Sequence, residues 1–228
     1  MELMLDNANI KTIKEFAEIY PYVGVTSNPS IIKKEGKIKF FEHFNQIRKV
    51  LGNKTLHIQV VSQTAPEMIK EAERIVEKID KEVYIKIPVT EEGLKAIKVL
   101  KERGFKITAT AIYTKMQGLV AIAAGADYIA PYFNRIQSRG SDAAATVACF
   151  RQNIDYFGKK TKILAASFHH GGQVIKALQA GADAVTIQPD LLREMICINP
   201  TNFIENAVST FASDWEESQG CKNILDCE

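Results

Sequence analysis

The chain has 228 residues, 46% of them hydrophobic and 25% charged, with 29 Lys and Arg against 27 Asp and Glu. That balance excludes a disordered or fibrous chain and a nucleic-acid binder held by bulk charge. No stretch approaches a membrane span, and the early acids argue against a secretory leader. The cysteines at 149, 197, 221 and 227 lack the CxxC spacing of a zinc site and do not read as a disulfide scaffold. The expectation is therefore a reduced, cytoplasmic domain with no membrane or nucleic-acid partner.

Short apolar runs alternate with amphipathic ones. The runs over 3–6, 23–25, 56–60, 83–87, 106–110, 128–130, 162–166 and 184–187 read as strands buried on both faces. The spacing predicts helices over 65–79, 92–103, 117–124 and 172–180, and glycines at 104, 125 and 181 mark natural stops for the last three. Two fragments, AGADYIAP (124–131) and AGADAVTIQP (180–189), repeat one order of helix, glycine stop, short strand and proline. A period of about 25 residues, repeated about eight times, points to βα units and a compact (β/α)8 TIM barrel. An open doubly wound sheet is the competing architecture, but no GxGxxG follows the first strand. The expected organisation is one domain over 1–216, comprising the barrel and a C-terminal helix, and a polar tail over 217–228.

A barrel gathers its chemistry at the C-terminal ends of its strands. Those ends carry Asp6, Thr26, Asn28, Gln59, Lys86, Thr110, Tyr132, Asn134, Arg135 and Ser167. Any one of them could be a cap or a loop anchor; together they would crowd one mouth. Lys86 stands out. It lies within VYIKIPVT, and alternation puts it on one face with Tyr84 while Ile85 and Ile87 take the other. Burying an ammonium is costly and lowers its pKa, and a neutral amine in a polar-lined pocket is what Schiff-base chemistry requires. Asp6, which ends LMLD, is the natural carboxylate partner. Two readings stand here: a nucleophile, or a purely structural ion pair between Lys86 and Asp6.

A second cluster follows strands six and seven. PYFNRIQSRG supplies Arg135 and Arg139, and ASFHHGGQVIKAL supplies Ser167, His169, His170 and a glycine pair that opens a helix. Free N–H groups at such a turn suit a phosphate or similar anion, and an ordinary βα turn with surface arginines is the alternative. Adjacent histidines point apart and no third ligand is evident, so no metal is expected. Residues 202–217 form an amphipathic pattern with Phe203, Ile204, Ala207, Val208, Phe211 and Trp215 on one stripe, fit either for its own barrel or for a neighbouring subunit. The cysteines at 221 and 227 in the tail read as incidental.

MLDNANI, GVTSNPSI, VYIKIPVTEEGLKAIKVLK, ITATAIYTKMQGLVAIAAGADYIAPYFNR and ILAASF resemble, in order and over nearly the whole chain, the small transaldolases and fructose-6-phosphate aldolases. The resemblance implies a class I enzyme without metal or organic cofactor on a (β/α)8 barrel, with Lys86 as Schiff-base nucleophile and Asp6 handling the substrate C3 and C4 hydroxyls. It also implies that Asn28, supported by Thr26, binds the dihydroxyacetone portion, and that Gln59 and Thr110 position the water of imine formation and hydrolysis. Tyr132 falls where the aldolase branch has an acid/base tyrosine and true transaldolases have phenylalanine. Position 59, glutamate in true transaldolases, is Gln59. Arg135 and Ser167 resemble phosphate binders, and Asn134 lies beside them. The family's small members form rings of five, often doubled, which implies a homo-oligomer, pentamer or decamer.

The anion end departs from the family pattern. His169 stands where Arg or Lys is usual, and Arg139 adds a cation the aldolase pattern lacks. A neutral imidazole is a weaker, pH-dependent partner for a dianion. The expected activity is cleavage of C3–C4 in a ketose of the fructose 6-phosphate type. The dihydroxyacetone unit is then released or passed to an aldehyde such as glyceraldehyde 3-phosphate. A transaldolase acting on 6-deoxy-6-sulfofructose is one alternative; a non-catalytic barrel that binds sugar phosphates is another.

Overall fold

The computed structural model describes residues 1–196 and 203–226. Its first compact unit, Met1–Pro189, holds a closed barrel of eight parallel strands in chain order, β1 pairing with both β2 and β8. The order runs β1 (Glu2–Asp6), α1 (Ile10–Ile19), β2 (Gly24–Thr26), α2 (Pro29–Lys34), α3 (Phe40–Leu51), β3 (Thr55–Gln59) and α4 (Ala65–Lys78). It continues β4 (Tyr84–Pro88), α5 (Glu91–Glu102), β5 (Lys106–Ile112), α6 (Lys115–Ala123), β6 (Tyr128–Pro131) and α7 (Phe133–Ser138). Then come α8 (Ala143–Tyr156), β7 (Lys162–Ala165), α9 (Gly171–Gln179) and β8 (Ala184–Ile187). The fold is a (β/α)8 barrel, and closure through β1 and β8 excludes the open doubly wound sheet.

Each expected strand is present within about two residues at either end. The apolar runs are buried on both faces, as the parallel barrel requires. Helix starts are set by side-chain caps: Asn9 for α1, Asn28 for α2, Thr90 for α5, a reciprocal Thr114–Gln117 box for α6 and Asp142 for α8. The repeated AGAD fragments do the same job twice. Gly125 and Gly181 take positive φ, 82° and 97°, to end their helices. The following aspartates reach back to the start of the preceding strand. Asp127 accepts from the Ile107 N–H and Asp183 from the Ile163 N–H, each at 2.7 Å.

The barrel interior is filled rather than open. Met4, Tyr128, Leu164 and Ala184 form a buried layer with Tyr84 packed against it. His57 stacks on Tyr84 with ring centroids 4.6 Å apart. Glu2 closes the N-terminal end, accepting from the Tyr128 hydroxyl at 2.7 Å and pairing with Lys162.

The second unit, Asp190–Glu228, contains most of α10 (Pro189–Ile196), α11 (Phe203–Gln219) and a 3-10 turn at Ile224–Asp226. On α11, Ile204, Val208 and Phe211 are exposed. The helix runs past 217, where the polar tail was expected to begin. Cys221 is disulfide-bonded, which corrects its reading as incidental. The readings of Cys197, Asn202, Cys227 and the Phe203 side chain lie outside the described residues. No helix among the described residues is long and apolar enough to cross a membrane.

Candidate active site

Strand register determines which side chains meet at the mouth. Asp6 pairs with Thr26, Gln59 with Lys86 and Lys86 with Thr108 across neighbouring strands. Lys86 points inward and is 5% exposed. Above it opens a cavity of about 470 Å³, lined among others by Asp6, Thr26, Asn28, Gln59, Lys86, Tyr132, Arg135, Ser167 and His169. Thr110 is not among the lining; it donates its hydroxyl to the phenol oxygen of Tyr132, which is, at 3.1 Å.

The Lys86 amine donates to the Ser27 carbonyl at 2.8 Å. Among the ion pairs of the described residues, none joins Lys86 to Asp6, so the two interact through space. An ammonium has three protons to place, and one acceptor satisfies it poorly. Burial pushes the lysine below its ordinary range, and the Asp6 charge pulls it partly back. Asp6 is raised by the same burial, opposed by the charge of Lys86, a hydrogen bond from Thr26 and the charge of Lys34. Thr26 donates to Asp6 at 2.7 Å and lies 2.7 Å from the Thr186 hydroxyl. Its single proton goes to Asp6, so Thr186 must be the donor in the second contact. Burial thus pushes the pKa values of the carboxylate and the amine toward each other within one polar mouth.

Gln59 presents a buried side-chain oxygen with no hydrogen-bond partner, opposite Lys86 in register. Asn28 spends its side-chain oxygen on capping α2, accepting from the Ile31 N–H at 3.1 Å, which leaves its amide N–H groups to donate elsewhere. The Tyr132 phenol is raised by burial, with Thr110 and Arg135 opposing. Ser167 takes a positive φ of 62°, and Ala111 one of 57°; these are strained positions for residues with a Cβ, and both line the cavity.

Two expected site residues are engaged elsewhere. The Asn134 side-chain oxygen accepts from Gln173 at 2.9 Å, and Gln173 also accepts from the His169 N–H at 2.8 Å. Arg139 is exposed and lies over the Tyr113 ring, 5.9 Å from its centroid. Neither is among the cavity lining. Conversely, the cavity takes in Lys34, Tyr113 and Thr186, which sequence reasoning did not single out. His57 was missed too. It is fully buried beneath the site with Nδ1 2.8 Å from the Thr108 hydroxyl. Its pKa is held well below the ordinary imidazole range by burial, then by the charges of Lys86 and Arg48. Alternation along TLHIQ puts His57 on the same face as Gln59, a signal that was available. Among the described residues no cluster of histidine, cysteine and carboxylates could hold a metal.

The comparisons with known proteins bear on the family of this barrel. The family model described as Transaldolase/Fructose-6-phosphate aldolase matches residues 3–221. A probable fructose-6-phosphate aldolase of Streptococcus pneumoniae (strain ATCC 700669 / Spain 23F-1) is 45% identical over 225 residues, covering 98% of this chain and 100% of that protein. The chain belongs to the transaldolase/fructose-6-phosphate aldolase family.

Proposed function

We propose that the protein is a class I aldolase or transaldolase of ketoses with an anionic C6 end, using Lys86 as its Schiff-base nucleophile. The observation that carries this reading is the desolvated Lys86 amine, with one hydrogen-bond acceptor, lining a polar cavity together with Asp6. In its neutral form Lys86 Nζ attacks the ketose C2 carbonyl, and the carbinolamine loses water to give an iminium ion. Asp6 takes the proton of the C4 hydroxyl. The C3–C4 bond breaks, its electrons move into the iminium, and the aldehyde leaves. The remaining enamine is protonated at C3 and hydrolysed by water, or attacks an acceptor aldehyde.

Gln59, Thr110 and Tyr132 suit the water and proton steps. The unpartnered Gln59 oxygen can accept from a water, and the Thr110–Tyr132 pair can carry a proton. Asn28 suits the dihydroxyacetone hydroxyl, with Thr26 steadying Asp6. Arg135, Ser167 and His169 suit the anionic end, with Asn134 anchoring the turn between them. Such a reaction draws on sugar phosphates of the cytoplasm. The exposed Ile204, Val208 and Phe211, spaced four and three residues apart on α11, favour a homo-oligomer, and the family resemblance points to five or ten copies. Light scattering is expected to give such a multiple, and a monomer would contradict it.

A donor panel tests the reading. Fructose 6-phosphate is incubated with and without erythrose 4-phosphate, and 6-deoxy-6-sulfofructose with and without glyceraldehyde 3-phosphate, so that each acceptor differs from the aldehyde the donor releases. Aldehyde release without acceptor marks an aldolase, and strict dependence on acceptor marks a transaldolase. His169 lining the cavity together with Arg135 favours including the sulfonate, since a monoanion needs less permanent positive charge. No turnover in any arm would support a non-catalytic binding barrel instead.

A further inference from the structure

We infer that Tyr113 is a positioning residue that holds Arg135 toward the anionic end of the substrate; this rests on the function proposed above. Thr108 and Thr110 of β5 face inward, so strict alternation would turn Ala111 and Tyr113 to the outer face. The strand does not alternate to its end. Its register against β6 shifts between Ala109 and Ile112, and Ala111 takes a φ of 57°. As a result Ile112 is buried, while Ala111 and Tyr113 line the catalytic cavity. A bulge next to a site commonly re-aims a side chain in this way.

The re-aimed ring is fixed at both ends. Its backbone N–H donates to Gln117 Oε1 at 2.9 Å, within the capping box of α6. Its hydroxyl accepts from an Arg135 guanidinium N–H at 3.3 Å. The Arg135 guanidinium also lies over the Tyr132 ring, 5.6 Å from the centroid, and the two tyrosine rings meet edge-on at 5.5 Å. Arg139 covers Tyr113 from 5.9 Å. Arg135 is exposed and has no carboxylate partner among the described ion pairs, so the two tyrosines are what orient it. An oriented guanidinium fork loses less freedom when it binds a tetrahedral anion than a free one does. Arg139 then contributes by steadying the tyrosine rather than by touching substrate.

The test is steady-state aldol addition of dihydroxyacetone to glyceraldehyde 3-phosphate and to uncharged glyceraldehyde, by wild type, Tyr113→Phe, Arg135→Ala and the double variant. Tyr113→Phe keeps the ring and removes the hydroxyl that meets Arg135. We expect KM for the phosphorylated aldehyde to rise roughly tenfold, as for one lost hydrogen bond to a charged group, with kcat and the glyceraldehyde reaction within about twofold. In the Arg135→Ala background the same change should cost nothing further. Equal losses with both aldehydes, or additive losses in the double variant, would overturn the inference while leaving the function intact. An Arg135→Ala enzyme with an unchanged preference for the phosphorylated aldehyde would overturn the assignment of the anion end. No addition to either aldehyde by wild type, whether from free dihydroxyacetone or from sedoheptulose 7-phosphate as donor, would overturn the function, and this inference with it.

Discussion

Lys86 donates its hydrogen bond to the main-chain carbonyl of Ser27 at 2.8 Å and stands clear of the Asp6 carboxylate. A tight ion pair would hold the lysine charged and spend the carboxylate on it. The arrangement found leaves the amine desolvated and the carboxylate outside any ion pair with it, as the proposed proton-transfer role of Asp6 requires. Asp6 is instead steadied by Thr26, itself steadied by Thr186.

This geometry gives the effect of Asp6→Asn on pH dependence a definite sign. The Asp6 charge raises the Lys86 pKa against the larger downward pull of burial. Without that charge the amine loses its proton at lower pH. The rise of carbonyl adduct formation with pH, read by reductive trapping at several pH values, should therefore shift downward. C–C cleavage should fall about a hundredfold or more, because the base for the C4 hydroxyl is gone. A profile that stays in place or moves upward would contradict the through-space coupling.

The Thr110–Tyr132 contact bears on later steps. Tyr132→Phe removes the phenol and keeps the ring that meets Tyr113 and Arg135. Turnover is expected to fall about a hundredfold, the scale of a lost general acid or base. Trapping of the dihydroxyacetone adduct should persist. Loss of trapping in step with turnover would move Tyr132 to imine formation itself.

The strand that carries Lys86 depends on a close approach at its C-terminal end. A Cβ on Gly93 would stand 1.9 Å from the Pro88 carbonyl oxygen, and that neighbour is backbone. Gly93→Ala must therefore push the first turn of α5 away from β4. A loss of about 1–3 kcal/mol in urea unfolding is expected, as for an overpacked core. A neutral result would mean that the α5–β4 contact yields easily.

The barrel was legible because its strands are short apolar runs at regular spacing, and Lys86 because alternation left a lysine on an inward face. The paired AGAD fragments were visible as repeats, but not their work of capping Ile107 and Ile163, which needs the strands in place. Tyr113 was hidden because a single residue, Ala111, breaks the alternation that sequence reading assumes. Asn134 and Arg139 illustrate the converse. Both lie in or just after α7 next to Arg135, yet helical geometry gives one to Gln173 and the other to Tyr113. Chain proximity does not determine direction. Lys34 and Thr186 reach the site from a helix end and a neighbouring strand, and neither carries a local signal.

The most direct measurement is borohydride reduction in the presence of dihydroxyacetone or fructose 6-phosphate, followed by peptide mass spectrometry of wild type and Lys86→Ala. A three-carbon unit on the Lys86 peptide, absent from the variant, is the result expected of a covalent amine. No adduct, or one on another lysine that survives Lys86→Ala, would contradict the assignment of Lys86 as nucleophile.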